Sequence, residues 1–311
     1  MARADRGFQA LSTSPLLSLM AGATFIGFAP ILTKLALAQG LGPAAIAAYR
    51  CAVGGAVFGL WSSASAPAGE GFLSALRQRP QLLVPGVLFA ADLVCWHASM
   101  QTTSAGQATL LSNLQVLFVV AYAWLVLKER IGPGLWVGAG LALVGVAGLF
   151  WDAGSGGWVG EGVMRGNGLA TLTAVFYAAY LLSVRGFARV VRAVDLMTVS
   201  SGVAALCLAG FSWWTEEAWI PHQSLGFVYV IQLGLVSHVL GQGLIARTLP
   251  LLPASRAGVV LLIQPVLAAV LGAIILAEAL TLQQVAAGVL VLVGLELARR
   301  SRIQVADRSR P

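Results

Sequence analysis

Charge is what this sequence lacks most. Its 311 residues include 19 Lys and Arg and 12 Asp and Glu, so charged side chains make up 10% of the chain, where a soluble domain carries about 25%. Hydrophobic residues reach 58%, and the mean hydropathy is +0.85. So few charges cannot cover a water-facing surface, which excludes a soluble, disordered or fibrous protein. Lysine occurs only at Lys34 and Lys128; neither follows Gly and precedes Ser or Thr, so there is no phosphate-binding P-loop. Three histidines without an acidic pair at ligand spacing argue against a membrane metalloenzyme, and no Gly-x-Ser-x-Gly elbow marks a serine hydrolase. No cofactor and no metal is expected. The three cysteines, Cys51, Cys95 and Cys207, all fall in apolar stretches and read as small packing residues rather than a disulfide framework.

What is present is a series of long apolar runs. Between Asp92 and Lys128 lie 35 residues without a formal charge, and 29 more separate Glu217 from Arg247. A membrane-spanning helix needs about 20 mostly apolar residues, and a bilayer has no water to satisfy unpaired backbone groups. Runs such as Leu141–Ala147 do not alternate as the strands of a β-barrel must. The expected fold is therefore an all-α polytopic membrane protein with ten transmembrane helices. Cut at turn signals, the spans fall near 16–38, 43–62, 81–101, 104–127, 132–151, 166–185, 196–214, 224–246, 254–277 and 281–299. Pro43, Pro133 and Pro253 stand where helices begin, suiting a residue with no amide hydrogen. Thr281 and Gln284 have capping-box spacing.

Ten spans with both tails on the cytoplasmic side, residues 1–15 and 300–311, put 16 of the 19 basic residues inside, leaving Lys34, Arg50 and Arg165 elsewhere. This agrees with the positive-inside rule. The net charge of +7 is thus an orientation signal, and no nucleic-acid partner is expected. Two arginines precede the first apolar stretch, but that stretch is too long for a signal-peptide core and reads as a retained helix.

The second half repeats the first. Shifted by 149 residues, Leu114-Gln115 lies on Ile263-Gln264, Leu127-Lys128-Glu129 on Leu276-Ala277-Glu278, and Leu141, Leu143, Val144 and Gly145 on Leu290, Leu292, Val293 and Gly294. Each half, 16–151 and 166–299, then holds five spans. An odd number inverts the second half relative to the first, an architecture that recurs in secondary transporters.

Val126-Leu-Lys-Glu129 followed by a Gly-rich helix, and Ile275-Leu-Ala-Glu278 followed by Thr281 and Gly288, resemble the paired repeats of the drug/metabolite transporter superfamily, EamA type. The stretches Asp92–His97, Ala108–Asn113 and His238–Gly243 look like one bacterial subgroup of it. The resemblance implies a ten-helix carrier of small metabolites, amino acids or related amphipathic solutes, in the inner membrane. Trp96, Tyr177 and Tyr180 suit such a solute. Members of the superfamily commonly carry proline in the fourth helix, where this chain has Val116; Pro265 stands at the matching place in the ninth. A helix break is therefore better supported at Pro265 than at Val116.

Ionisable groups inside a bilayer are costly, about 2.5–3.5 kcal/mol for Asp or Arg at mid-helix on insertion scales, and they mark pathways by default. Asp92 is the leading candidate, with Trp96 one turn on and His97 beside it. His238 and Gln242 have the same spacing on the eighth span, the repeat-mate of the third. Gln115 and Gln264 are expected as inward-facing amides, and Arg50 as a group for an anionic moiety. The competing assignment for these side chains is helix-to-helix hydrogen bonding. Proton coupling is expected at Asp92 or a histidine. Tyr49 reads as an interfacial aromatic. Glu129 and Glu278 read as structural carboxylates meeting the helix that follows each of them. A passive facilitator of the same fold remains the alternative to a coupled carrier.

Overall fold

The computed structural model describes residues 14–67, 70–99, 102, 110–149, 161–275, 280–301 and 303–304. Apart from a two-residue antiparallel pairing of β1 (Arg130–Ile131) with β2 (Ile303–Gln304), these residues are helices and their connections. Among the described residues, seven helical stretches are long and apolar enough to cross a membrane: Pro15–Leu37, Pro43–Ser65, Gly162–Phe187, Ala193–Trp214, Leu225–Leu251, Ala254–Ile275 and Leu282–Arg300. Three shorter apolar helical stretches join them, Pro80–Trp96, Leu110–Leu125 and Pro133–Leu149.

Helix starts follow local chemistry. α1 (Pro15–Gly27) and α2 (Ala29–Leu37) are parted at Phe28, just before Pro30, whose missing amide hydrogen interrupts the ladder. α3 (Pro43–Ser65) begins on its proline, as does α7 (Pro133–Leu149), and Pro253 immediately precedes α12 (Ala254–Val260). Between these lie α4 (Phe72–Gln78), α5 (Val84–Ser99), α6 (Gln115–Leu125), α8 (Glu161–Phe187), α9 (Ala193–Trp214), α10 (Leu225–Gln232) and α11 (Gly243–Thr248). α13 (Ile263–Ile275) and α14 (Leu282–Arg300) complete the chain, and α14 opens on the expected capping box of Thr281 with Gln284.

Burial is distributed as lipid solvent demands. The buried side of α3 carries Ala44, Ala45, Ala47, Ala48 and Gly54, while Leu60 and Trp61 on the same helix are exposed. Small residues let helix backbones approach, and large apolar ones can face hydrocarbon at no cost. A close crossing joins α7 to α14, where a Cβ on Gly138 would collide with the Gly294 carbonyl and one on Gly294 with that of Gly138.

The helices gather into two compact units. One comprises Met1–Ala90 with Ser183–Leu252, the other Ala91–Leu182 with Pro253–Pro311, so each draws on both halves of the chain and α5 passes from one to the other. Among the described residues, each unit has a carboxylate that caps a distant helix. In the first, Glu217 accepts from the backbone amides of Ala44 at 2.7 Å and Ala45 at 3.0 Å, and from the Ser212 hydroxyl at 3.3 Å. In the second, Glu129 accepts from the Ala254 amide at 2.8 Å, the Ser255 amide at 3.2 Å and the Ser255 hydroxyl at 2.6 Å. Both satisfy amides that the helix itself leaves unpaired and meet the positive end of its dipole. The expectation for Glu129 is thus corrected in its partner: the capped helix is α12, 125 residues away, not the one that follows in sequence. Glu278 lies outside the described residues.

A third polar node sits in the first unit. Arg192 grips Asp195 through Nε and Nη2, both at 2.7 Å, and the Ser62 hydroxyl donates to the same carboxylate at 2.6 Å. It ties α3 to the start of α9.

Candidate functional site

The eighth stretch departs from α-helical geometry in its middle. From Leu233 to Gln242 it is a π-helix, ten residues long, set between α10 and α11. Bonds run from i to i−5, as from the Gly243 amide to the His238 carbonyl. Such segments are normally single-turn bulges and concentrate at functional sites. Local sequence permits it: Gly234 and Gly241 lie near the two ends of the segment, and a Cβ at either would overlap Val53 or Ile26 respectively. The widened turn is therefore held closely between α1 and α3, and the Ser237 hydroxyl donates to the Phe25 carbonyl at 3.1 Å. His238 and Gln242 both project from it into buried positions.

His238 is received by α3. Arg50, Gly54 and Phe58 are spaced by four residues and so share one face of that helix. The middle position is glycine because the imidazole takes the place of a side chain there; a Cβ on Gly54 would collide with His238 Cδ2. Phe58 lies 6.2 Å from the imidazole between ring centres, and Phe89 of α5 lies 5.7 Å from it at an interplanar angle of 34°. The Ser201 hydroxyl of α9 lies 2.7 Å from His238 Nε2. The remaining ring nitrogen, Nδ1, is buried with no hydrogen-bond partner among the described residues.

Arg50 completes the group. Its guanidinium lies over the Phe89 ring, 5.7 Å from the centroid, a favourable place for a cation against a π-face. The residue is only 8% exposed, and its Nε has no hydrogen-bond partner. A buried arginine is normally paired, yet among the described residues no carboxylate meets this one. Arg50 is the eighth residue of α3, about 10 Å along the axis from its start at 1.5 Å per residue, so it lies well inside the span.

The sequence candidates therefore divide between the units. Arg50, His238 and Gln242 belong to the first, where the Arg50 guanidinium and the His238 imidazole both approach the Phe89 ring. Asp92, Trp96, Gln115 and Gln264 belong to the second. Asp92 is buried, and its backbone carbonyl accepts from the Thr173 hydroxyl of α8 at 3.4 Å. Trp96 is partly buried on the same helix, its carbonyl accepting from Ser99 at 2.7 Å. The side chain of His97 lies outside the described residues. Tyr49 stands apart from the Arg50 face: its hydroxyl donates to the Trp219 carbonyl at 3.1 Å, and its ring meets Trp219 and Phe227 edge-on.

Gln115 and Gln264 each follow a helix break. The break expected at Pro265 is there, with α12 ending at Val260 and α13 starting at Ile263. The fourth stretch is broken as well, although the sequence supported this break less strongly: Asn113 and Leu114 form a turn before α6. Proline is not required because both turns are tightened by i→i−3 bonds, Leu114 to Leu111 and Val116 to Asn113 in one, Leu262 to Val259 and Gln264 to Leu261 in the other. Leu114 makes its turn at φ −61 and ψ −9, a conformation open to any residue. Gln115 Oε1 and Gln264 Nε2 are both buried without a partner. Sequence reasoning missed Gly54, Phe58, Phe89 and Ser201; the four-residue spacing of Arg50, Gly54 and Phe58 was the signal that could have found the first two.

Comparison with known proteins agrees with this architecture. A solved structure described only as "Crystal structure of protein" superposes with a TM-score of 0.73 at 23% identity, covering 89% of this chain and 97% of that one. That likeness establishes the fold. No curated protein matches the chain. The model of the EamA-like transporter family matches twice, over residues 13–151 and 164–299. Two family matches spanning nearly the whole of an all-helical, strongly apolar chain make it a multi-pass membrane protein with two copies of one repeat, and it belongs to the EamA-like transporter family.

Proposed function

We propose that this protein is a secondary transporter that moves small metabolites across the bacterial inner membrane by alternating access. Its working parts are two inverted five-helix repeats, 16–151 and 166–299, with both tails cytoplasmic. The ten helices are the seven long spans together with the three shorter apolar ones, and the distribution of basic residues supports their orientation. The pathway is lined by Asp92, Trp96, His97, Gln115, His238, Gln242, Gln264 and Arg50, and amino acids or related amphipathic solutes are its cargo. The observation that carries this reading is polar chemistry buried in apolar helices at irregular backbone. His238 and Gln242 sit on a π-helix, and Gln115 and Gln264 sit just after helix breaks. Non-helical backbone at membrane depth is tolerated where it lines a protein cavity, and broken helices form the binding sites of many transporters.

Transport is coupled to protons through Asp92, a buried carboxyl at a depth where carrying a proton and carrying a charge differ greatly in cost. The full chain reconstituted into liposomes is expected to show saturable counterflow of labelled amino acids, L-phenylalanine first, accelerated by an imposed pH gradient. Saturable flux indifferent to that gradient would remove the coupling. Linear, unsaturable conductance would replace the carrier with a passive facilitator.

A further inference from the structure

We propose that Arg50 and His238 together dock a carboxylate group of the transported solute. The inference rests on the carrier reading above and assigns its substrate class.

Three features of the first unit point to it. The Arg50 guanidinium is more than nine-tenths buried, its Nε is unpartnered, and among the described residues no acidic side chain neutralises it. Removing one partner of a buried charge pair is strongly destabilising because it leaves the other charge uncompensated, so a cation kept in this state points to an anion supplied from elsewhere. The His238 imidazole is almost fully buried too, and its Nδ1 is unpartnered. The Ser201 hydroxyl pairs with Nε2 at 2.7 Å; in the tautomer in which Ser201 is the donor, Nδ1 carries the hydrogen and is a second donor for the solute. Both groups flank one surface, the Phe89 ring, each about as far from its centre as the other. The site thus offers a planar fork and a single N–H beside an aromatic face.

That donor set selects its ligand. A guanidinium matches the two oxygens of a carboxylate in a bidentate pair, and one added imidazole N–H satisfies a further lone pair. The site supplies one permanent positive charge. One carboxylate balances it, whereas a phosphate dianion would bury a surplus negative charge, which is costly in such surroundings. Phe58 and Phe89 provide apolar contact for the carbon attached to the carboxyl group. Gly54 is part of the construction, since any side chain there would drive the imidazole out of place.

The test uses the purified full-length protein and matched probes that differ only in charge: L-phenylalanine with L-phenylalaninamide, L-leucine with L-leucinamide, and phenylacetate with phenylacetamide, with inorganic phosphate alongside. Binding is read by thermal unfolding and by tryptophan fluorescence. At least one carboxylate is expected to bind, its amide 10-fold or more weaker, and phosphate not at all. Arg50→Gln is expected to weaken the carboxylate by about 10- to 100-fold, the range of a charge-assisted hydrogen bond. Arg50→Lys should recover part of the loss, and His238→Asn should weaken binding by a smaller factor. The last two keep the test intact if Arg50→Gln does not fold. Amides binding as well as acids, phosphate binding, carboxylate binding that ignores both positions, or a panel without one binder that depends on Arg50 would each overturn the proposal. Counterflow separates it from the carrier reading. Saturable flux that ignores the carboxylate ends the docking proposal alone, and carboxylate binding without flux ends the carrier reading alone.

Discussion

The Glu129 cap permits a quantitative test of how a membrane helix start is held. The residue is 1% exposed, and its carboxylate accepts from the two amides that open α12 and from the Ser255 hydroxyl. Hydrogen bonds to a charged group contribute about 1.5–3 kcal/mol each, and a buried donor left unsatisfied costs about 1–3 kcal/mol. Glu129→Ala strands two amides and one hydroxyl; allowing for relaxation and for the hydroxyl turning elsewhere, the loss should be about 3–5 kcal/mol. Glu129→Gln keeps the shape and one acceptor oxygen but turns an NH2 toward donors, for a loss of about 2–3 kcal/mol. Ser255→Ala removes only one bond, about 1 kcal/mol. At about 2 °C per kcal/mol for a chain of this size, apparent Tm should fall by about 6–10 °C, 4–6 °C and 2 °C respectively. Fluorescence-detected gel filtration of heated, detergent-solubilised protein measures the order directly. A Glu129→Ala variant no less stable than Ser255→Ala would falsify the view that the carboxylate holds the helix start.

Other expectations concern packing and flux. Gly54→Val should push the His238 ring aside and weaken solute binding at least 10-fold while the protein still inserts, as saturation binding on membranes would show; unchanged affinity would mean that the imidazole is not held by that contact. Gly138→Val at the α7–α14 crossing should lower stability by about 1–3 kcal/mol through overpacking, seen as a Tm drop that Ala at the uncrowded Gly140 does not cause. Asp92→Asn is expected to abolish gradient-driven flux and to spare the fold; normal flux would make Asp92 structural. Thr281→Ala removes the capping box of α14 and should cost about 1 kcal/mol, measurable in the same thermal assay.

The helical plan was legible because lipid imposes it. Apolar length gave the spans, and Pro43, Pro133 and the Thr281–Gln284 pair gave starts that agree with the structure to within a residue or two. What a local reading could not supply was any feature made by residues far apart. Glu129 shows a carboxylate after an apolar run, but nothing near it reveals that its amides come from Ala254 and Ser255. The π-helix is equally hidden, since the pattern of 233–242 fits an α-helix, and the wider turn follows from how Gly234 and Gly241 meet Val53 and Ile26. Arg50 and His238 were each suspect as single ionisable residues in lipid. That both approach the Phe89 ring depends on tertiary packing. The break before Gln115 was the less supported of the two for a different reason: proline is a sufficient signal for a break and not a necessary one.

The two carboxylate caps also set a schedule for synthesis. The start of α3 is capped by a residue 173 positions downstream, and the start of α12 by one 125 positions upstream. At about 5–20 residues per second, α3 waits about 9–35 s after emerging before Glu217 exists to receive its first amides. Glu129, conversely, waits about 6–25 s for the helix it caps. Early helices thus leave the ribosome with unfinished ends, and neither half of the chain can complete its own helix starts without the other.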